Sequence, residues 1–196
     1  MKMVAVITLV LVAEAVAAGS IREDVKLVVC LNGGVPGLIL QRATRIASRM
    51  YAGIGIPIEW QYGARHCADG SGFLIRFADR APMSASEGAL ASAKPWAGTV
   101  FDIYYMRVTE RVQPSQVEHV LAHVIVHELG HMLQATGSHS DEGVMKANWT
   151  TSDYREMCKS PLEFTEHDVQ LIHKGFRNWF DHGSVMPAHL AMNRAR

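Results

Sequence analysis

The chain has 196 residues, 48% of them hydrophobic, with 19 basic side chains against 19 acidic ones. That length suits one ordinary domain with its own core, and the even charge balance removes the electrostatic case for a nucleic-acid or anionic-membrane partner. Three cysteines without any C-x-x-C spacing argue against a cysteine-rich metal site.

Residues 1–18 read as a signal peptide: Lys2 is a short basic start, residues 3–13 are an apolar core, and Val16-Ala17-Ala18 offers small residues for cleavage. Glu14 interrupts the apolar run, which is too short for a membrane span; an uncleaved anchor or a first strand is the alternative. No cysteine follows the cut to carry a lipid. The expectation is a secreted or periplasmic chain without stable membrane insertion, with one domain over 19–181 and a loose tail over 182–196. Outside the cytoplasm three cysteines allow at most one internal disulfide, and Cys67 with Cys158, both near loops, pair more readily than Cys30 in its apolar strand.

Residues 25–31, VKLVVCL, form a continuous apolar run and predict a buried strand. Asn32-Gly33-Gly34 and Pro36-Gly37 turn the chain, and 38–51 predicts a helix with Leu38, Ile39, Ile46, Ala47 and Met50 on one side. Two further strands follow over 56–62 and 72–77. The Ala-, Ser-, Gly- and Pro-rich stretch 79–98 predicts a long irregular connection, either flexible or bordering a cleft. Residues 98–108, GTVFDIYYMRV, carry β-branched and aromatic side chains at strand density.

The pattern most specific in chemistry lies next. Ser115 with Glu118 matches the S-x-x-E capping box, and Val117, Val120, Leu121, Val124, Ile125 and Met132 recur at helical spacing, with Gly137 as the stop. Within that helix His127, Glu128 and His131 form H-E-x-x-H. At about 100° per residue the two histidines differ by about 40° around the axis and lie about 6 Å apart along it, so both imidazoles reach one ion. Glu128 projects beside them, placed to accept a proton from water without binding the metal. A catalytic zinc takes three protein ligands and leaves one position open; His139 is the nearest third candidate, with Asp141, Glu142 and Glu156 as competitors and Glu163 and Glu166 in reach of a glutamate-ligand arrangement. His119 and His123, at four-residue steps before the motif, read as surface or hydrogen-bonded structural residues. Beyond the site, Thr165 with Asp168 caps a last helix over 165–180, whose buried stripe is Val169, Ile172, Phe176 and Phe180.

HELGH followed by SHS and GVM resembles the metzincin branch of the zincin metallopeptidases, and is similar to small secreted bacterial proteins with the same layout. The resemblance covers roughly residues 98–150. It implies an α+β fold: a twisted mixed sheet with a backing helix, a zinc-binding helix, a methionine turn at Met145 and a C-terminal helix. It also implies that the strand before the zinc helix is a sheet edge along which an extended peptide lies. One departure is plain: the family's glycine and third histidine fall three and six residues after the second histidine, where this chain has Gln134 and Gly137.

The expectation is a secreted zinc-dependent peptidase acting on a peptide or protein substrate. His127, His131 and His139 hold Zn²⁺, Glu128 is the general base, Met145 is an apolar floor, and Tyr154 either polarises a substrate carbonyl or packs. The rivals are a non-catalytic zinc-binding or interaction protein on the same scaffold, a hydrolase with a downstream glutamate ligand, and an amidase of non-peptide substrates. The sequence does not fix an oligomeric state or a cleavage preference.

Overall fold

The computed structural model describes residues 25–68, 70–95 and 97–181, so the expected signal peptide and tail lie outside the described residues. Its centre is a five-stranded sheet in the order β2-β1-β3-β5-β4. Strand β1 (Leu27–Gly33) runs parallel to β2 (Ile58–Tyr62) and β3 (Phe73–Ala78), and β3 runs parallel to β5 (Val100–Tyr104). The two-residue β4 (Ala91–Ser92) pairs antiparallel with β5 and forms the edge. Parallel neighbours need a crossover, and helix α1 (Gly37–Gly53) supplies it between β1 and β2.

Alternation along the strands sorts the side chains. Leu27, Val29, Leu31, Phe73, Ile75, Phe77, Phe101 and Ile103 are all buried and form one face. Helices α1 and α3 (Val117–Gln134) close the core with them, and the buried Tyr51 hydroxyl of α1 donates to the Val126 carbonyl at 3.1 Å. The expected single stripe on α3 understates its burial: it is covered nearly all round, His123, His127, Glu128 and His131 included. Helix α5 (Glu166–Asp181) approaches α3 so closely that a Cβ on Gly175 would overlap the Leu133 carbonyl oxygen.

The disulfide joins Cys30 to Cys67, with Cα atoms 6.1 Å apart, and Cys158 is a free thiol. This corrects the expected Cys67–Cys158 pair. Cys30 is buried, but strand alternation points it away from Val29 and Leu31, toward the face where the 3-10 turn Ala64–Cys67 packs. The strand expected over 98–108 ends at Tyr104 and passes into helix α2 (Tyr105–Arg111), where only Val108 is buried. Nor is β5 an edge, because β4 emerges from the stretch expected to be irregular. That stretch is tied down: Arg107 donates to the Ser86 and Ala89 carbonyls at 2.7 and 2.9 Å, and Tyr104 N–H donates to Leu90 O at 2.8 Å.

The ends of α3 also differ. A 3-10 turn, Pro114–Gln116, precedes it, and Gln113 and Gln116 form the capping box in place of Ser115 and Glu118, the Gln116 side chain accepting from Gln113 N–H at 3.1 Å. The stop is Ala135, whose left-handed φ of 52° returns its N–H to the His131 carbonyl two residues before Gly137. In α5 the Thr165–Asp168 cap is present, whereas Phe180 is 42% exposed. Trp179 turns inward instead and stacks on Phe73 at 4.5 Å.

Candidate metal centre

The tautomers of the motif histidines follow from their partners. His127 Nδ1 lies 2.8 Å from the Val144 carbonyl and His131 Nδ1 lies 2.9 Å from the Thr136 carbonyl. A carbonyl oxygen only accepts, so each Nδ1 carries the proton and each Nε2 presents a bare lone pair. Those Nε2 atoms stand 3.0 Å apart, and His139 Nε2 is 3.3 Å from that of His131. Two bare acceptors at that distance repel each other, and a cation between them would relieve the repulsion. Burial disfavours a proton there: it pushes His127 down to about 3 and His131 down to about 4, helped by the neighbouring imidazoles, against carbonyl hydrogen bonds that act the other way. Burial lowers His139 as well.

The donor set suits zinc in chemistry, and the two spacings centred on His131, 3.0 and 3.3 Å, suit it in geometry. Three nitrogens each about 2.0–2.1 Å from a tetrahedral ion lie about 3.3 Å from one another. Here the ligand atoms of His127, His131 and His139 all fall within 4.8 Å of each other, the only such group among the described residues. Asp141, Glu142, Glu156, Glu163 and Glu166 stand outside it. The longer connection after His131 therefore still delivers His139, by turning at Ala135 instead of at a glycine.

Glu128 is buried beside the histidines, and burial pushes its carboxyl up to about 7, opposed by a hydrogen bond from the Ala93 backbone. Ala93 directly follows β4, so the sheet edge and the carboxylate are coupled. Met145 is fully buried beneath α3: a Cβ on Gly130 would come within 2.6 Å of its sulfur. The turn that carries it has Gly143 at φ 72°, and Val144 N–H donates to the Glu163 carbonyl at 2.9 Å.

No protein-family model matches this sequence, and no curated protein matches it either. The fold resembles an archaemetzincin. The crystal structure of archaemetzincin from Methanopyrus kandleri matches with a TM-score of 0.50 and 13% identity, covering 83% of this chain and 99% of that one. The likeness is one of fold, a mixed α/β architecture on a mostly parallel sheet, and assigns no residue a role.

Within this archaemetzincin-like fold Tyr154 is linked to the histidines through Trp149. The Trp149 ring lies 5.4 Å from that of His127 and 6.4 Å from that of Tyr154, edge-to-face in both pairs. The Trp149 indole nitrogen is buried without a hydrogen-bond partner among the described residues. Burial raises the Tyr154 phenol. His123 takes the hydrogen-bonded structural role: its Nδ1 donates to the His119 carbonyl at 2.7 Å and its Nε2 accepts from Leu162 N–H at 3.0 Å. Acceptance at Nε2 requires the neutral ring, and burial pushes its pKa down to about 4.

Sequence reasoning took Asp168 only as a helix cap. In the fold it also accepts from Ser140 Oγ at 2.8 Å and Gln134 Nε2 at 3.2 Å. Burial raises its carboxyl, but hydrogen bonds from Thr165, Ser140 and Gln134 outweigh this and hold it below the usual carboxylate range. The signal was present as an acidic residue in a capping position; nothing local in the sequence connects it to the histidines.

Proposed function

We propose that the protein is a zinc-dependent metallopeptidase of metzincin type that works outside the cytoplasm. The observation that carries this reading is the cluster of three imidazoles, their ligand atoms within 4.8 Å of one another, with a buried carboxylate alongside. His127, His131 and His139 would hold the ion. Zinc, when bound, supplies a Lewis acid that brings the pKa of water toward about 7 and polarises a carbonyl.

The protein's own groups supply the rest. The Val144 and Thr136 carbonyls hold two of the imidazoles with Nε2 directed inward. Glu128, poised near neutrality, accepts the proton of the attacking water and delivers it to the leaving amine. Its buried setting keeps that proton from bulk solvent. Met145 fills the space under Gly130 and leaves the helix an apolar floor. An extended peptide fits the exposed side of β4 through main-chain hydrogen bonds, which favours a peptide over a small amide. The Cys30–Cys67 bond supports an oxidising compartment.

The test is a peptide-library digestion with and without chelator, run beside zinc content. Glu128→Ala should keep the metal and lose about 10²- to 10⁴-fold in turnover, whereas His131→Ala should lose both. A Glu128→Ala protein that cleaves as fast as wild type sinks the mechanism.

A further inference from the structure

Among the described residues two carboxylates are buried, and the proposed reaction uses only Glu128; the other is Asp168. The Asp168 hydrogen bonds divide by oxygen. Oδ2 accepts from Thr165 N–H at 3.0 Å and Thr165 Oγ1 at 2.7 Å, which seats it on the first turn of α5. Oδ1 accepts from Gln134 Nε2 at 3.2 Å and Ser140 Oγ at 2.8 Å. Gln134 is the last residue of α3, and Ser140 follows His139 directly. A single oxygen thus joins the two ends of the connection 135–139 that carries the third histidine.

That connection needs an anchor. Ala135, Gly137, Ser138 and His139 are exposed, so no apolar packing holds them. Its start is also held by the Ala135 and Thr136 N–H groups on the His131 carbonyl and by the Thr136 carbonyl on the His131 ring. The Thr136 and Ser138 side chains bond to each other, and beyond His139 the backbone tie is Ser140 N–H to the Met145 carbonyl at 3.0 Å. A loop that the metal had to order on arrival would bind it more weakly by the conformational entropy lost.

We propose that Asp168 is the positioning residue of the metal centre, clamping both ends of the 135–139 connection so that His139 is presented to the ion before it binds. The proposal rests on the zinc-site reading of His127, His131 and His139. The clamp also explains how this chain tolerates a longer span between its second and third histidines. The same anionic carboxylate, fixed near the centre, complements the charge of a divalent cation.

Zinc affinity measured by competition with a chromophoric chelator tests this. Ser140→Ala removes one arm of the clamp and spares the α5 cap; Asp168→Asn removes the charge. Each is made with His139 present and in a His139→Ala background. With His139 present, both variants should bind zinc about 10- to 100-fold more weakly. With His139 absent, Ser140→Ala should change nothing. In parallel, the cobalt-loaded Ser140→Ala protein should show weakened visible bands as the third nitrogen leaves, while the metal-free protein melts as wild type. An equal loss from Ser140→Ala in both backgrounds overturns the proposal, since the bond would then be supporting the fold at large. Unchanged affinity in Ser140→Ala and Asp168→Asn, beside a wild type that binds one zinc, overturns the clamp and leaves the zinc site standing. A wild type that takes up no zinc overturns both.

Discussion

Breaking the Cys30–Cys67 bond gives a perturbation whose size can be worked out. The bridge spans a sequence separation of 37 residues. A closed loop of that length removes about 13 cal/mol/K of chain entropy from the unfolded state, or about 4 kcal/mol at 25 °C. Against a typical total of about 5–15 kcal/mol this is a large share. For a domain of this size it corresponds to a fall in Tm of about 8–16 °C. The assay is thermal and urea unfolding of wild type with and without reductant, beside a Cys30→Ala/Cys67→Ala double variant. The urea slope should also rise, because an uncrosslinked unfolded chain exposes more surface. The bond lies on the sheet face away from α3, so zinc uptake at 25 °C should be unaffected. Three titratable thiols in the denatured, unreduced protein after maturation in an oxidising compartment, or a Tm indifferent to reductant, would refute the reasoning.

Three other outcomes are expected. In the metal-free protein His123, His127 and His131 have folded pKa values depressed by burial below the unfolded value of about 6.5. The unfolded chain therefore takes up protons first, and stability falls as pH drops from about 6.5 toward about 4, partly offset above pH 5 by the raised Glu128; acid titration followed by circular dichroism should show this loss. For hydrolysis Glu128 must be ionised, so kcat/KM should rise with pH through a pKa between about 5 and about 7, and a profile flat from about pH 5 to 8 would remove Glu128 as a base raised by burial. Gly175→Ala should cost roughly 3 kcal/mol or more by forcing α5 off the Leu133 carbonyl, while Gly37→Ala, with open space around it, should change urea stability little.

Much of the core and the centre of the site were legible in the sequence because local periodicity governs them. Apolar runs placed β1, β2 and β3, and the four-residue step of His127 and His131 put two imidazoles on one helix face regardless of the surroundings. What escaped depends on tertiary geometry. A two-residue edge strand has too little pattern to register, so β4 and the Ala93 bond to Glu128 were hidden in a stretch rich in turn residues. The aromatic and β-branched composition of Tyr105 and Val108 favoured a strand, yet the chain curls into α2 to bury Val108 alone. Cys30 looked unavailable because it sits in an apolar run, while its side of the strand settled the pairing. Ala135 in a left-handed cap runs against residue preference, and its cost of roughly 1–2 kcal/mol is borne where the backbone bends to bring Thr136 O to His131.

The residues that finish the centre follow the motif in the chain. Val144, whose carbonyl orients His127, hangs from Glu163, and Ser140 hangs from Asp168. During vectorial synthesis the H-E-x-x-H helix emerges well before either support. A nascent or truncated chain ending before residue 163 would carry the complete motif without the geometry that lets it capture an ion. Assembly of the three-histidine cluster is thereby tied to synthesis of the segment through Asp168, some thirty residues or more beyond the motif.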